Sequence, residues 1–317
     1  MGSHRAFWNG GSAVRLLILG ASGDQGQPQV AAAAAAGHTV RAAARDPVRA
    51  SAQCVGSTAE WVAVDYAAPV TLARAMQDVD VVLANYPSSS FNAAEPLIAA
   101  AELTGRAAHA AGVQRLIFNT SLPVMSEPRG YAAHDVRLTM RHALAAAGVP
   151  LICLQPVVFM NNLLRGWAFP HIADESRFLY PHAESLDVSW ICQEDLAALM
   201  VSAAERPELA GRCYAVGGPE ALRGADVAAA LSVAAGRPIR FESQSVEAFC
   251  AAMEVLMRTR FSPERVRMIE ELGNIYRWYN TGAERPFLVD MAPVLRDLPV
   301  SLTRFSDWAA RQRWSRE

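Results

Sequence analysis

The stretch from Val14 to Pro47 constrains the fold most. An apolar run, Val14-Arg15-Leu16-Leu17-Ile18-Leu19, leads straight into Gly20-Ala21-Ser22-Gly23-Asp24-Gln25-Gly26. The run reads as a strand, the glycines as a tight turn, and the following residues, through Val30 and the alanines to Gly37, as a helix. Thr39 to Ala44 resumes strand character and breaks at Asp46-Pro47. This is one βαβ unit. Glycines three apart at the mouth of a helix let the backbone turn sharply and let a pyrophosphate approach its N–H groups. The helix N-terminus adds partial positive charge. Following a strand and opening a helix, Gly20, Ser22, Gly23, Asp24, Gln25 and Gly26 therefore read as a nucleotide-binding turn. Pro28 fits the first helical turn, where its missing N–H costs little.

The end of the second strand selects among nucleotides. A site for NAD normally carries Asp or Glu there to hold a ribose hydroxyl, whereas this chain has Arg45, with Arg41 four residues earlier. A guanidinium suits a 2′-phosphate, so NADP(H) is the expected cofactor. The competing readings are a solvated Arg45 and a ribose held by Asp46.

Gly20 to Gly26 followed by Gly37-His-Thr-Val-Arg41-Ala-Ala-Ala-Arg45-Asp46-Pro47 resembles the NmrA-like family of atypical short-chain dehydrogenases/reductases. Asp65-Tyr66, Gly148-Val-Pro150 through Asn161, Asp195-Leu-Ala and Tyr214-Ala-Val-Gly-Gly-Pro219 extend the resemblance over most of the chain. It implies an α/β fold: a doubly wound parallel sheet (Rossmann) with a smaller α/β C-terminal substrate-binding region. The expected division is a flexible leader at 1–13, an NADP-binding domain at 14–156, and a mainly substrate-binding region at 157–317 with segments returning to the sheet.

The resemblance also implies site residues. Asp65 and Tyr66, at the end of the third strand, are placed at the adenine, with a capping role for Asp65 as the alternative. Asn85, Tyr86 and Pro87 end the fourth strand where the cofactor ribose would lie. Ser121, after the strand Leu116-Ile-Phe118, is a candidate to orient a substrate carbonyl or to cap its turn. Pro156 and Phe159 stand where the family's chain folds over the nicotinamide.

One departure is chemical. Relatives place a lysine eleven residues before the glycine that ends the fifth long helix; here it is Arg137, and no Tyr-x-x-x-Lys pair exists, since Tyr131 is followed four positions later by Asp135. Arginine holds an anion or a hydroxyl but shuttles protons poorly. Tyr131 and His134 are the nearest replacement acids, His134 being the better matched to neutral pH; either also reads as a surface residue. On a helical wheel His134, Arg137 and Arg141 form a stripe opposite Val136, Met140 and Leu144.

With 317 residues, 52% hydrophobic and 19% charged, the chain can bury a large core. Net charge −2 supplies no general attraction to nucleic acid or an anionic membrane, so neither is an expected partner. All 29 basic residues are arginine, which removes Schiff-base chemistry. Cys54, Cys153, Cys192, Cys213 and Cys250 form no Cys-x-x-Cys pair and read as buried thiols of a reduced, cytoplasmic protein. No metal-ligand spacing and no apolar run long enough for a membrane span is present.

From Trp167 onward aromatic residues thicken, including Phe178, Tyr180, Trp190, Tyr276, Trp278 and Tyr279. They suit a pocket for a small hydrophobic or aromatic substrate, or simple core packing. The expected function is an NADPH-dependent reductase of a small hydrophobic carbonyl, quinone or enone. The alternatives are a non-catalytic NADP(H)-binding redox sensor and a non-redox isomerase or cyclase; a homodimer is left open.

Overall fold

The computed structural model describes residues 13–54, 56–258, 268–282 and 284–316. The expected leader lies outside them except for Ala13, as does the first part of the helix expected from Phe261 to Trp278. Strands and helices below are numbered in chain order.

Seven parallel strands form the main sheet: β1 (Arg15–Leu19), β2 (Thr39–Ala44), β3 (Glu60–Ala63), β4 (Val81–Ala84), β5 (Arg115–Asn119), β6 (Leu151–Pro156) and β8 (Cys213–Val216). Their order is β3-β2-β1-β4-β5-β6-β8, so the winding reverses between β1 and β4. β1 is central, with Leu16 opposite Val40 on one side and Val81 on the other. Its five residues Arg-Leu-Leu-Ile-Leu are apolar on both faces because both faces are covered. Leu16 and Ile18 pack with α1 (Gly26–Ala35) and α7 (Gln193–Ala204). Leu17 and Leu19 pack with α3 (Pro69–Ala75), α4 (Ala94–Ala110) and α5 (Ala132–Ala146). Burying each such side chain contributes roughly 1.5–3 kcal/mol.

A strand apolar on both faces does not set its register by alternation alone. Here the ends do so. Asp80 accepts from the Arg15 amide at 2.8 Å through its carboxylate and donates its own amide to the Arg15 carbonyl at 2.9 Å. The Thr39 amide donates to the Val14 carbonyl at 3.1 Å.

The C-terminal region is interleaved with the sheet: α7 and β8 belong to the main layers. Outside them, β7 (Arg177–Tyr180) and β9 (Arg240–Ser243) make a second parallel pair, flanked by α6 (Phe169–Glu175) and α8 (Gly224–Ala235). α9 (Val246–Arg258) and α10 (Met268–Thr281) pack together, and α11 (Met291–Asp297) and α12 (Phe305–Ala310) end the described chain. The last helix begins only at Phe305. Thr303 is held outside it, its amide and hydroxyl donating to the Asp195 carboxylate at 2.7 and 2.8 Å. Asp195, in the first turn of α7, spends its carboxylate on these bonds. Asp226 does cap its helix, accepting from the Arg223 amide at 2.9 Å. Short α2 (Pro47–Gln53), with Asp46 as its cap, was not expected at all.

Candidate active site

The reversal between β1 and β4 opens a crevice beyond the carboxyl ends of the strands, the general ligand position of such sheets. The turn after β1 forms its floor. Gly20 adopts φ +67°, a left-handed conformation that disfavours a side chain. Gly23 and Gly26 donate their amides to the carbonyls of Gly20 and Gly23, both at 3.0 Å. At Gly26 a methyl group would run into the Gly20 carbonyl oxygen and lie 2.7 Å from Ala21 Cα, so only glycine lets α1 start this close to β1.

A set of side-chain amides holds the turn from below. Asn85 and Gln29 exchange hydrogen bonds at 2.8 and 2.9 Å, and Asn85 Nδ2 also donates to the Leu19 carbonyl at 2.9 Å. Asn119 Nδ2 donates to Asn85 Oδ1 at 2.9 Å and to Gln25 Oε1 at 2.6 Å. The ends of β1, β4 and β5 are thereby joined. Asn85, expected beside a ribose, is 7% exposed and spends its amide on this scaffold. Neither Gln29 nor Asn119 was singled out from the sequence, because nothing local marks two amides that meet Asn85 across 56 and 34 positions.

At the end of β2, Arg45 is exposed and makes no hydrogen bond or ion pair with any described residue. Its neighbours are occupied. Asp46 accepts from the Arg49 amide at 3.0 Å, and Arg41 donates to Glu60 at 2.8 Å and to the carbonyls of Ala75 and Gln77. Asp65 is exposed and accepts from the Ala67 amide at 2.9 Å, a turn-forming bond that leaves Oδ2 open. Tyr66 stacks on Tyr86 at 5.8 Å between centroids, and Tyr86 meets Phe118 edge-on, so both rings pack toward the α4 side of the sheet. Ser22 and Asp24 are exposed on the turn, and Asp24 is ion-paired with Arg165.

Beyond the turn lies a cavity of about 280 Å³. Gln25, Ser121, Ser89 and Arg137 contribute its polar side. Trp167, Phe249, Met253, Ile275, Tyr276 and Tyr279 contribute an apolar side from the loop after β6, α9 and α10. Phe159 lines it too, while Pro156 ends β6 just below. Of the aromatic residues noted in the sequence, Phe178, Tyr180 and Trp190 are core instead. Ser121 holds φ +62°, strained for a residue with a side chain, and its hydroxyl lies 3.2 Å from Gln25 Oε1.

On the polar stripe of α5, His134 and Arg137 are buried, against the surface reading of His134. Arg137 is fully buried, donating from NH2 to the Pro87 carbonyl at 2.6 Å and from Nε to Ser89 Oγ at 3.2 Å. No carboxylate pairs with it, and burial lowers its pKa to about 10. It is the one charged residue lining the cavity among the described residues.

His134 Nδ1 lies 2.6 Å from the Pro123 carbonyl and Nε2 lies 2.7 Å from the Tyr279 hydroxyl. A carbonyl only accepts, so Nδ1 carries the hydrogen and Nε2 accepts from Tyr279. Burial pushes the imidazole pKa down to about 4. This corrects the expectation that His134 is an acid poised near neutrality: it is neutral at pH 7 and acts as an acceptor. Tyr131 is corrected as well. It stacks on Trp278 at 5.2 Å at the start of α5 and is not among the residues lining the cavity.

A doubly wound sheet with a glycine cradle at its reversal point and an enclosed cavity beside it defines a dinucleotide-binding protein of the short-chain dehydrogenase/reductase type. The NmrA-like family model matches residues 12–308, and the chain belongs to that family. It is 33% identical over 305 residues to the (4-alkanoyl-5-oxo-2,5-dihydrofuran-3-yl)methyl phosphate reductase of Streptomyces griseus subsp. griseus, covering 93% of this chain and 96% of that protein. It is 31% identical to the NAD(P)H azoreductase of Xenophilus azovorans over 75% of this chain and 80% of that one. The fold is shared with an NADPH-dependent quinone oxidoreductase from Escherichia coli, crystallised with NADPH, at a TM-score of 0.72 and 19% identity, covering 93% and 98% of the two chains. No described helix is long and apolar enough to cross a membrane.

Proposed function

We propose that the chain is an NADPH-dependent reductase of a small hydrophobic or aromatic carbonyl, quinone or enone. The observation that carries this reading is the cavity itself, in which Gln25 of the glycine turn faces an aromatic and aliphatic wall with no carboxylate anywhere in the described lining. A planar, neutral or anionic acceptor is suited to that lining, and a cation is not. The two curated relatives, both named as reductases, support it.

The glycine cradle fits a diphosphate, and the unengaged Arg45 fits a 2′-phosphate. Reduced nicotinamide, when bound, supplies the hydride. Gln25 keeps Oε1 on Asn119 and Ser121, which leaves its Nε2 to donate to a ligand. Ser121 is a candidate to orient the acceptor oxygen. Arg137 is a candidate to stabilise negative charge that develops there. Tyr279 lines the opposite wall as a protonated phenol, held up by burial. Rotation of its O–H from His134 Nε2 toward the product oxyanion delivers a proton without charging the imidazole.

The test is NADPH oxidation by the purified protein with panels of quinones, enones and nitrogen-linked aromatic dyes. Turnover that collapses in Tyr279→Phe and Ser121→Ala supports the reading; NADPH binding without oxidation of any acceptor points to the sensor alternative instead.

A further inference from the structure

Cys153 on β6 and Cys213 on β8 stand opposite one another in register. Residues paired in this way project from the same face of a sheet, and adjacent strands lie about 4.8 Å apart. That spacing falls within the roughly 4.4–6.8 Å Cα separation that a disulfide spans. Both thiols are free. Their surroundings differ sharply. Cys153 is 1% exposed in the core beneath α5, whereas Cys213 is exposed on the last strand of the sheet. The exposed Cys213 departs from the expectation of buried thiols.

Arg141, one turn beyond Arg137 on α5, brings its positive charge near Cys213. We propose that Cys213 and Cys153 form a peroxide-sensitive dithiol, with Cys213 as the attacking thiolate and Cys153 as the resolving thiol. The neighbouring Cys153 thiol and the Arg141 guanidinium lower the Cys213 pKa to about 6, while Cys213 and burial push Cys153 up. The sulfur that reacts is thus the accessible one, and its partner stays protonated until needed.

The chemistry balances as two steps. The Cys213 thiolate attacks a peroxide oxygen; an S–O bond forms, the O–O bond breaks, and the departing oxygen leaves as water or an alcohol after taking a proton. The Cys153 sulfur then attacks Cys213; the S–S bond forms, the S–O bond breaks, and hydroxide leaves as water with the Cys153 proton. Two thiols are oxidised by two electrons and one peroxide is reduced. The site is separate from the cavity and holds whatever that cavity reduces.

The test reads mass rather than turnover. In full-length protein at pH 7, iodoacetamide is expected to label Cys213 about tenfold or more faster than the half-buried Cys54. Hydrogen peroxide is expected to yield a peptide linked between Cys153 and Cys213 that dithiothreitol separates. In Cys153→Ser, dimedone is expected to trap the sulfenic acid on Cys213, and Arg141→Gln is expected to slow Cys213 labelling several-fold with Cys54 unchanged. Labelling of Cys213 no faster than Cys54, or peroxide-treated wild type carrying Cys213 sulfinic acid beside a free Cys153 thiol, overturns the proposal. Both decisive readings are made on the wild-type chain, so a variant that fails to fold does not obscure them.

Discussion

The Nε2 atom of His134 lies 2.7 Å from the hydroxyl of Tyr279, 145 positions away, at the point where α5 meets α10 above the cavity. The imidazole accepts this bond because its other nitrogen is committed to the Pro123 carbonyl. Tyr279 is thereby held with its O–H on the imidazole, and in the proposed reaction its proton is the one that a reduced acceptor takes.

Tyr279→Phe removes that proton and leaves Nε2 buried without a donor. The expected result is a fall in kcat of about a hundredfold with KM changed far less, since a general acid contributes about 10²–10⁴. Stability is expected to drop by roughly 1–3 kcal/mol from the unsatisfied nitrogen. Steady-state kinetics beside urea unfolding separates the two effects; kcat unaltered while stability falls assigns Tyr279 to packing alone.

Two buried imidazoles make stability depend on pH. His134 and His182 have pKa values lowered by burial to about 4 and about 3 from the usual 6.5. Their unfolded forms bind protons first as pH falls, so the stability they contribute is complete above 6.5 and is lost as pH drops toward 4 and then 3. A tenfold difference in proton affinity between the folded and unfolded chain is worth about 1.4 kcal/mol, so the two rings together cost several kcal/mol, beginning well above the range where carboxylates titrate. The urea midpoint is expected to decline from pH 7 to pH 5; a flat midpoint across that interval contradicts the assignment.

The glycines of the turn are not equivalent. Gly26→Ala places a methyl against the Gly20 carbonyl and Ala21, and is expected to unseat α1, costing several kcal/mol and abolishing NADPH binding. Gly23→Ala meets only the Gly20 carbonyl oxygen, at 3.3 Å, and is expected to fold with nearly wild-type thermal stability. Thermal unfolding of both variants with and without NADPH checks the contrast.

Arg45→Ala is expected to weaken NADPH binding by about 1.5–3 kcal/mol, the range of a charge-assisted bond, and to leave NADH binding nearly unchanged. Calorimetry with both coenzymes decides it. An equal loss for the two would assign Arg45 to the diphosphate rather than the 2′-phosphate.

The sheet was legible because its signals are local. A six-residue run with five apolar side chains, three glycines and a second strand lie within 34 positions, and the βα alternation continues to Pro156. The candidate site was legible only where one element carried the signal: Gln25 came from the glycine turn, Ser121 from a strand end, and Arg137 from its place in a family pattern. The wheel of α5 separated His134 and Arg137 from Val136 and Met140 correctly but assigned the polar side no depth. Depth came from α10, whose Tyr279 and Ile275 cover that stripe, and helix-on-helix contact across more than a hundred positions leaves no periodic trace. The same limit hid Gln29 and Asn119. Cys153 and Cys213 lay too far apart in sequence for any spacing rule, and only the pairing of β6 with β8 made them neighbours.

The amides of Gln29, Asn85 and Asn119 join three strand ends through the protein's own groups alone. Association with a coenzyme is therefore docking onto a stiff receptor, with little chain left to order. The nucleotide half should bind with a simple bimolecular on-rate and a hydrogen-exchange pattern beneath Gly20 to Gly26 that changes little when the ligand arrives.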